Sequence, residues 1–381
     1  MIRAFLHRHR RLAHSIVEHS LLLPVGAAAA LVWANTAPNS YRAFAHAFEF
    51  AINDVGMAFF FALATKEIVE ATAPGGVLHT WRRAALPAVA AIGGMIAPAL
   101  IYAAYVKAAY PPLLRGWAIP CATDVAFSYL VARAVFRRHA AIPFLLLLAI
   151  ADDAFGLLIL ALFYPVRDLH LPAAAGLMAL AIAVAVALRR NRVRVFWPYV
   201  LAGGVTSWTA LFWGGLQPAL ALVPVIPFLP HAARDPGLFV EAPATAHDPL
   251  SEFEHWWRLP VQGILFLFGL VNAGVRLDTI GIGTWAVAGA LIIGKPLGIS
   301  LTVAAAVAAG LHLPQRLDWK DVIVTGCAAG IGFTVALFFA TAAFPAGRLL
   351  DQTKLGALLS VGSAGTTLLA AAALRVGRFR P

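Results

Sequence analysis

Between Ile142 and Tyr164 the chain carries no charged residue except two adjacent aspartates, Asp152 and Asp153. The stretch is long enough to cross a bilayer as a helix. Ionised carboxylates at membrane depth cost at least about 2.5 kcal/mol each, even on a lenient insertion scale. A chain that keeps two of them side by side there uses them, and the default reading is a pathway for a cation or a proton.

The surrounding sequence agrees with a membrane setting. Of 381 residues, 61% are hydrophobic and only 12% charged, about half the charged fraction of a soluble domain. A net charge of +11 would suit a nucleic-acid binder, but the arginines cluster in short loops between apolar segments, as topology signals do. The two cysteines, Cys121 and Cys327, fall inside predicted spans and read as small packing residues, not as a disulfide framework or metal knuckle. The basic N-terminus, Met1 to His19, and the apolar run from Leu21 to Trp33 could pass for a signal peptide. With so many spans following, an uncleaved first span is the better reading.

Hydropathy suggests twelve spans, at roughly 20–35, 55–72, 84–105, 116–136, 142–164, 172–188, 195–212, 216–230, 259–275, 284–309, 322–344 and 353–374. Several are shorter than a straight crossing needs, which is tolerable only where protein or a cavity shields the backbone. Basic residues gather on alternate connections: Arg3, Arg8, Arg10 and Arg11; Lys66, Arg82 and Arg83; Arg133, Arg137 and Arg138; Arg189, Arg190, Arg192 and Arg194; and Arg375, Arg378 and Arg380. That bias puts both termini in the cytoplasm. The stretch from His231 to Arg258 reads as a long cytoplasmic loop, with Asp235, Glu241, Asp248, Glu252, Glu254, His231, His247 and His255. Its acidity contributes little to orientation.

A weak internal repeat is visible. Cys121-Ala-Thr-Asp-Val-Ala-Phe127 in span 4 matches Cys327-Ala-Ala-Gly-Ile-Gly-Phe333 in span 11. Spans 3 and 10 both carry a Gly-rich run leading to a proline, Gly93-Gly94 to Pro98 and Gly289 to Pro296. Spans 3–5 and 10–12 then enter the membrane from opposite sides, as inverted three-helix repeats. Pro120 removes a backbone donor in span 4, and Gly326, Gly330 and Gly332 loosen span 11. Two broken helices that cross there would aim half-helix ends at one another. Asp124 can neutralise the N-terminal ends. Lys295, too deep in span 10 to snorkel, is the candidate for the C-terminal ends, with Asp152, Asp153 and Asp124 as available partners.

Small hard cations prefer carboxylate, hydroxyl and carbonyl oxygens. Asp153, Asp152, Asp124, Thr123 and freed carbonyls supply that set. The same carboxylates bind protons, and two neighbours resist ionising together. A site that holds either a cation or protons makes an exchanger. Glu67, late in span 2, reads equally as a helix-end ion pair with Lys66 or Arg82 and as a cation funnel. The twelve histidines read as solvated loop residues.

Rival readings are weaker. A sodium-coupled symporter of an organic anion on a related fold needs a second, apolar cavity, and the aspartate pair with Lys295 argues against it. A retinal-type sensor using Lys295 as a Schiff base would have seven spans. An intramembrane aspartyl protease needs aspartates on two helices, whereas Asp152 and Asp153 are about 100° apart on one. No HExxH, Walker or dinucleotide motif marks an enzyme.

Taken together, the strings Ile92-Gly-Gly-Met-Ile-Ala-Pro98, Gly116-Trp-Ala-Ile-Pro-Cys-Ala-Thr-Asp-Val-Ala-Phe127, Leu148-Ala-Ile-Ala-Asp-Asp153, Asn272-Ala-Gly-Val275, Ile293-Gly-Lys-Pro-Leu-Gly-Ile299 and Gly330-Ile-Gly-Phe-Thr334 resemble the NhaA family of bacterial sodium/proton antiporters. The resemblance covers nearly the whole chain. It implies an all-α inner-membrane protein with inverted repeats and two crossing broken helices, in one polytopic domain. Spans 3–5 and 10–12 (84–164 and 284–374) would be the transport core, and 20–72 with 172–275 a supporting panel. It implies electrogenic exchange of more than one proton per sodium or lithium ion, with no cofactor. Asp153 would be the main metal-ion ligand, with Asp152 beside it pairing with Lys295 when the site is empty. Thr123 and Asp124 would be the unwound-segment groups, and Glu67 the span 2 glutamate. Three departures stand out. Ile68-Val-Glu-Ala-Thr-Ala-Pro74 replaces the family's basic-acidic run. Gly215-Leu-Gln-Pro218 lacks its usual histidine. Asn35 to Phe50 looks too short for the hairpin through which the family forms homodimers.

Overall fold

The computed structural model describes residues 22–380 apart from 75, 77, 80, 138 and 232–247. Arg3, Arg8, Arg10, Arg11, Arg138, Asp235, Glu241 and His247 lie outside the described residues. Those described form fifteen α-helices linked by 3-10 and π turns, with no strand among them. Helix α1 (Leu22–Thr36) is followed by α2 (Pro38–Phe50), which runs through a π turn at Ala51–Gly56 into α3 (Met57–Thr72). Next come α4 (Trp81–Ala109), α5 (Val125–Phe136), α6 (Ala141–Phe163), α7 (Leu171–Arg190) and α8 (Val205–Gly214). After α9 (Pro249–Asn272), α10 (Ile282–Gly289) passes through a π turn at Ala290–Gly294 into α11 (Lys295–Ala308). Then follow α12 (Trp319–Ala329), α13 (Phe333–Ala343), α14 (Arg348–Leu359) and α15 (Ser363–Leu374).

The helical bias has a simple origin. A backbone in hydrocarbon must satisfy its own N–H and C=O groups, and a helix does so within one segment. Among the described residues six helices are long and apolar enough to cross a membrane alone, and eight crossings result if each of two sharply bent pairs is one span. Leu162, Trp213, Leu301 and Leu369 lie exposed on the rim, where lipid would cover them. Inside, α4 and α11 meet backbone to backbone: a Cβ on Gly298 would lie 2.1 Å from the Gly93 carbonyl oxygen. Small residues at such crossings are how membrane helices approach closely.

The structure departs from the expected spans in several places. Span 8 (216–230) is not an α-helix but a string of 3-10 turns, at Pro218–Leu220 and Ile226–Phe228. Pro218, Pro224 and Pro227 each remove a helical donor, and Gly215 at φ 77° ends α8 just before them. The segment is buried at Ala219, Leu222 and Ile226, so its irregular backbone is shielded from lipid. Span 2 begins far earlier than residue 55, because the helix is continuous over Pro38–Thr72. The Asn35–Phe50 stretch is therefore helix from Pro38 onward. The expected loop from His231 to Arg258 likewise ends early: Pro249 opens α9, and Asp248 caps it by accepting the Ser251 N–H at 3.0 Å.

Candidate functional site

The two bent pairs are spans 4 and 11. In span 4, Pro111–Cys121 and Val125–Phe136 meet at 56°; in span 11, Trp319–Ala329 and Phe333–Ala343 meet at 49°. Proline in the 3-10 turn Ile119–Cys121 and glycine at 330 and 332 interrupt the helices, as the residue types predicted. The two breaks lie against each other. The Asp124 N–H donates to the Ile331 carbonyl at 2.6 Å, and the Thr123 hydroxyl to the Ala329 carbonyl at 3.1 Å.

Asp124 serves two helix N-termini at once. Its Oδ1 accepts the Phe127 N–H of α5 at 3.2 Å. Its Oδ2 accepts the Thr334 N–H of α13 at 3.1 Å and the Thr334 hydroxyl as well. Both partners are orphan first-turn donors at a positive dipole end, where a carboxylate is stabilising. The break in span 11 is held from a third side: Gly332 N–H donates to Ser360 Oγ at 3.2 Å, and Ser360 to the Ala357 carbonyl at 2.6 Å.

Lys295 reaches this junction from α11. The π turn at Ala290–Gly294 adds one residue to the coil just before it. Gly294 lets that turn press on α4, since a Cβ there would sit 2.9 Å from Pro98 Cα. The lysine Nζ donates to Asp152 Oδ2 at 2.6 Å and to the Thr123 hydroxyl. Both charged side chains are buried, at 0% and 1% exposure. Thr123 passes the contact on to the Ala329 carbonyl, the last residue of α12, so the lysine meets the negative helix end through one hydroxyl. No other described side chain bonds to Asp152, and its Oδ1 has no partner.

Asp153 is the odd member. It makes no hydrogen bond or ion pair with any described residue. One residue further around α6, it faces a crevice of about 10 Å³, with room for roughly one water. Asp152 also borders it, with Phe60, Phe61 and Ala64 of α3, Ala122, the α6 residues Gly156, Leu157 and Leu160, and Val335. Asp152, Asp153, Thr123, Asp124 and Lys295 thus converge, from α6, α11 and the break in span 4, against the backbone of the break in span 11. Cys121 is buried with its thiol on the Met95 carbonyl, and both cysteines are free.

Glu67 does not join that group. It sits toward the C-terminal end of α3, one turn beyond Ala64 of the crevice wall, beside Lys66, whose Nζ lies 3.4 Å from Glu67, 2.6 Å from Glu70 and 2.7 Å from Glu254 of α9. The Arg82 side chain lies outside the described residues. Lys66 is only 1% exposed. Sequence reasoning named Lys66 as a neighbour but missed Glu70 and Glu254 as its strongest partners. The i, i+4 spacing of Lys66 and Glu70 was the available signal. Thr334 and Ser360 were also missed as holders of the break. Thr334 follows directly on the Gly330-Ile-Gly-Phe333 break; nothing local marks Ser360.

Comparison with known proteins shows the family. The profile of the family described as Na+/H+ antiporter 1 matches residues 10–374. The chain is 45% identical over 382 aligned residues to Na(+)/H(+) antiporter NhaA 1 of Pelobacter propionicus, covering 97% of this chain and 100% of that protein. It is 43% identical to the NhaA antiporter of Geobacter sulfurreducens, at 97% and 100% coverage, and 44% identical to that of Geobacter metallireducens, at 95% and 97%. Those matches displace the symporter and retinal readings, and Lys295 is in any case engaged by Asp152 and Thr123. A multi-pass helical membrane protein with this junction and these relatives belongs to the Na+/H+ antiporter 1, or NhaA, family: it is a sodium/proton antiporter.

Proposed function

We propose that Asp153 is the main ligand of the transported sodium or lithium ion, with Asp152, Thr123 and carbonyls of the unwound segments completing an oxygen shell. The observation that carries this reading is the contrast between neighbours. Asp152 is tied to a buried ammonium, whereas Asp153 stands unpartnered beside the crevice. A desolvated cation needs anionic oxygen, and Asp153 is the anion not already neutralised.

In this cycle a cation and protons compete for one pair of carboxylates. With sodium bound, Asp153 and Asp152 coordinate it and Lys295 gives up its contact with Asp152. With sodium gone, protons and Lys295 neutralise the pair, and the empty site can turn to the other face. Asp124 stays fixed as the cap of both breaks. Twelve spans in an inverted repeat, 3–5 against 10–12, move as a core against the panel formed by the remaining spans in the inner membrane, with both termini cytoplasmic. Glu67, one turn from Ala64 of the crevice wall, stands at its cytoplasmic approach.

If sodium leaving lets Asp153 take one proton and the Asp152–Lys295 pair a second, the lysine having lost its proton while sodium was bound, two protons enter for each sodium that leaves. One positive charge then moves inward per cycle, driven by about 2.3 kcal/mol per 100 mV. Proteoliposomes with equal pH on both faces and a potassium–valinomycin potential, negative inside, should therefore expel sodium. Efflux that ignores the potential would show one-for-one exchange and would remove one of the two aspartates from the carrying role.

A further inference from the structure

Asp321, in the first turn of α12, is fully buried, and the exchange site makes no use of it. Its Oδ2 accepts the Asp318 N–H at 2.9 Å, the reciprocal arm of a capping box. Two basic side chains face it among the described residues. Arg380 Nη2 lies 3.5 Å from its Oδ1 and 3.2 Å from the exposed Asp318 carboxylate, and His139 Nε2 lies 3.9 Å from its Oδ2. A buried carboxylate is costly unless a cation and hydrogen bonds reach it, so these partners decide where Asp321 can rest.

Both partners are themselves held. Beyond α15, Val376 is fully buried, with its N–H on the Ala371 carbonyl at 2.9 Å. Gly377, at φ 60°, presses on the end of α5, where a Cβ would lie 2.3 Å from the Val135 carbonyl oxygen. Only glycine suits that left-handed backbone at so close an approach. The 3-10 turn Gly377–Phe379 then delivers Arg380 to α12. His139, in the link between α5 and α6, accepts the Ala141 N–H at 3.3 Å through Nδ1 and stacks on Phe136. Asp321 therefore ties the start of α12 to the ends of α5 and α15 and to the start of α6.

The other end of α12 lies at the site. The helix has 11 residues and is about 16 Å long. Midway, Gly326 rests on α11 beside Lys295: a Cβ there would lie 2.9 Å from Pro296 Cα. At its last residue the Ala329 carbonyl accepts the Thr123 hydroxyl, which Lys295 reaches in turn. A short unbroken helix moves as a rigid element, so a shift at Asp321 is a shift at Ala329.

We propose that Asp321 is a positioning residue of the exchange cycle: anchored through Arg380, it fixes how far α12 reaches toward Thr123 and Lys295, and so the oxygen set offered to the cation. This rests on the reading of Asp153, Asp152 and Thr123 as the cation site. With α12 pinned at its far end, movement within span 11 is confined to the break at Gly330–Gly332.

Arg380→Gln leaves Asp321 buried without its cation, so the protein should melt lower. In proteoliposomes it should also need about fivefold more sodium for half-maximal exchange, within the range over which distant coupled positions act. Arg380→Lys keeps the charge and should behave as the unaltered protein. The double variant Asp321→Asn with Arg380→Gln removes both charges. Its melting should recover while its sodium requirement stays raised, which a merely structural pair would not show. Hydrogen exchange read by mass spectrometry follows the helix directly: in the double variant the amides at 326–332 should exchange on the order of tenfold faster. A normal sodium requirement in the double variant, or faster hydrogen exchange confined to 318–322 and 376–380, overturns the proposal. If Asp153→Asn still exchanges sodium while both effects are seen, only the cation-site reading falls and the anchoring of α12 stands.

Discussion

Asp153→Asn is expected to give a folded protein that exchanges no sodium for protons. Asparagine keeps the shape of the side chain, and Asp153 makes no hydrogen bond or ion pair whose loss would strain the bundle. What disappears is the negative charge and the proton-binding oxygen, the two properties an exchanger needs at one atom. In everted vesicles, sodium-driven dissipation of a pH gradient should fall to the background of vesicles lacking the protein, while the amount of protein in the membrane stays level. Sodium exchange at the unaltered rate would show that the crevice-facing carboxylate is a bystander and that the cation sits elsewhere.

Lys295→Ala acts on stability and on transport together. The ammonium and Asp152 are both buried, and nothing else among the described residues bonds the Asp152 carboxylate. Removing one partner of such a pair costs about 3–5 kcal/mol, since the other is left charged and unpaired. The loss also frees Thr123, and with it the link to the carboxyl end of α12. The detergent-solubilised variant should melt well below the unaltered protein. The pH dependence of its exchange should shift too, because a proton or a cation must now do what the lysine did. An unchanged melting temperature with an unchanged pH profile would mean that the ion pair is idle in the cycle.

Much of this site is legible in the sequence because charge at membrane depth is rare. Asp152, Asp153 and Lys295 announce themselves against an apolar background, and Pro120 and Gly330 mark where helices must break. From there an aspartate partner for Lys295 and the capping role of Asp124 follow from charge and helix polarity, while the choice of Asp152 among three aspartates comes from the family resemblance; both contacts are present. Other features are not local. Hydropathy cannot tell an α-helix from the 3-10 turns of 216–230, since both are apolar; three prolines were the clue, and burial explains why the bilayer tolerates the result. The π turns before Lys295 and within Ala51–Gly56 leave no hydropathy signature at all. Ser360 holds Gly332, and Glu254 holds Lys66, across long sequence separations. Only the fold brings such pairs together.

Competition between sodium and protons for the aspartate pair is the centre of this account, and proton release measures it without vesicles or gradients. Sodium added to purified protein in a weakly buffered detergent solution, near the pH where exchange is half-maximal, should acidify the medium in proportion to the protein present. Lithium should do the same, and Asp153→Asn should release nothing. No acidification by the unaltered protein, or equal acidification by Asp153→Asn, would contradict a shared site at Asp152 and Asp153.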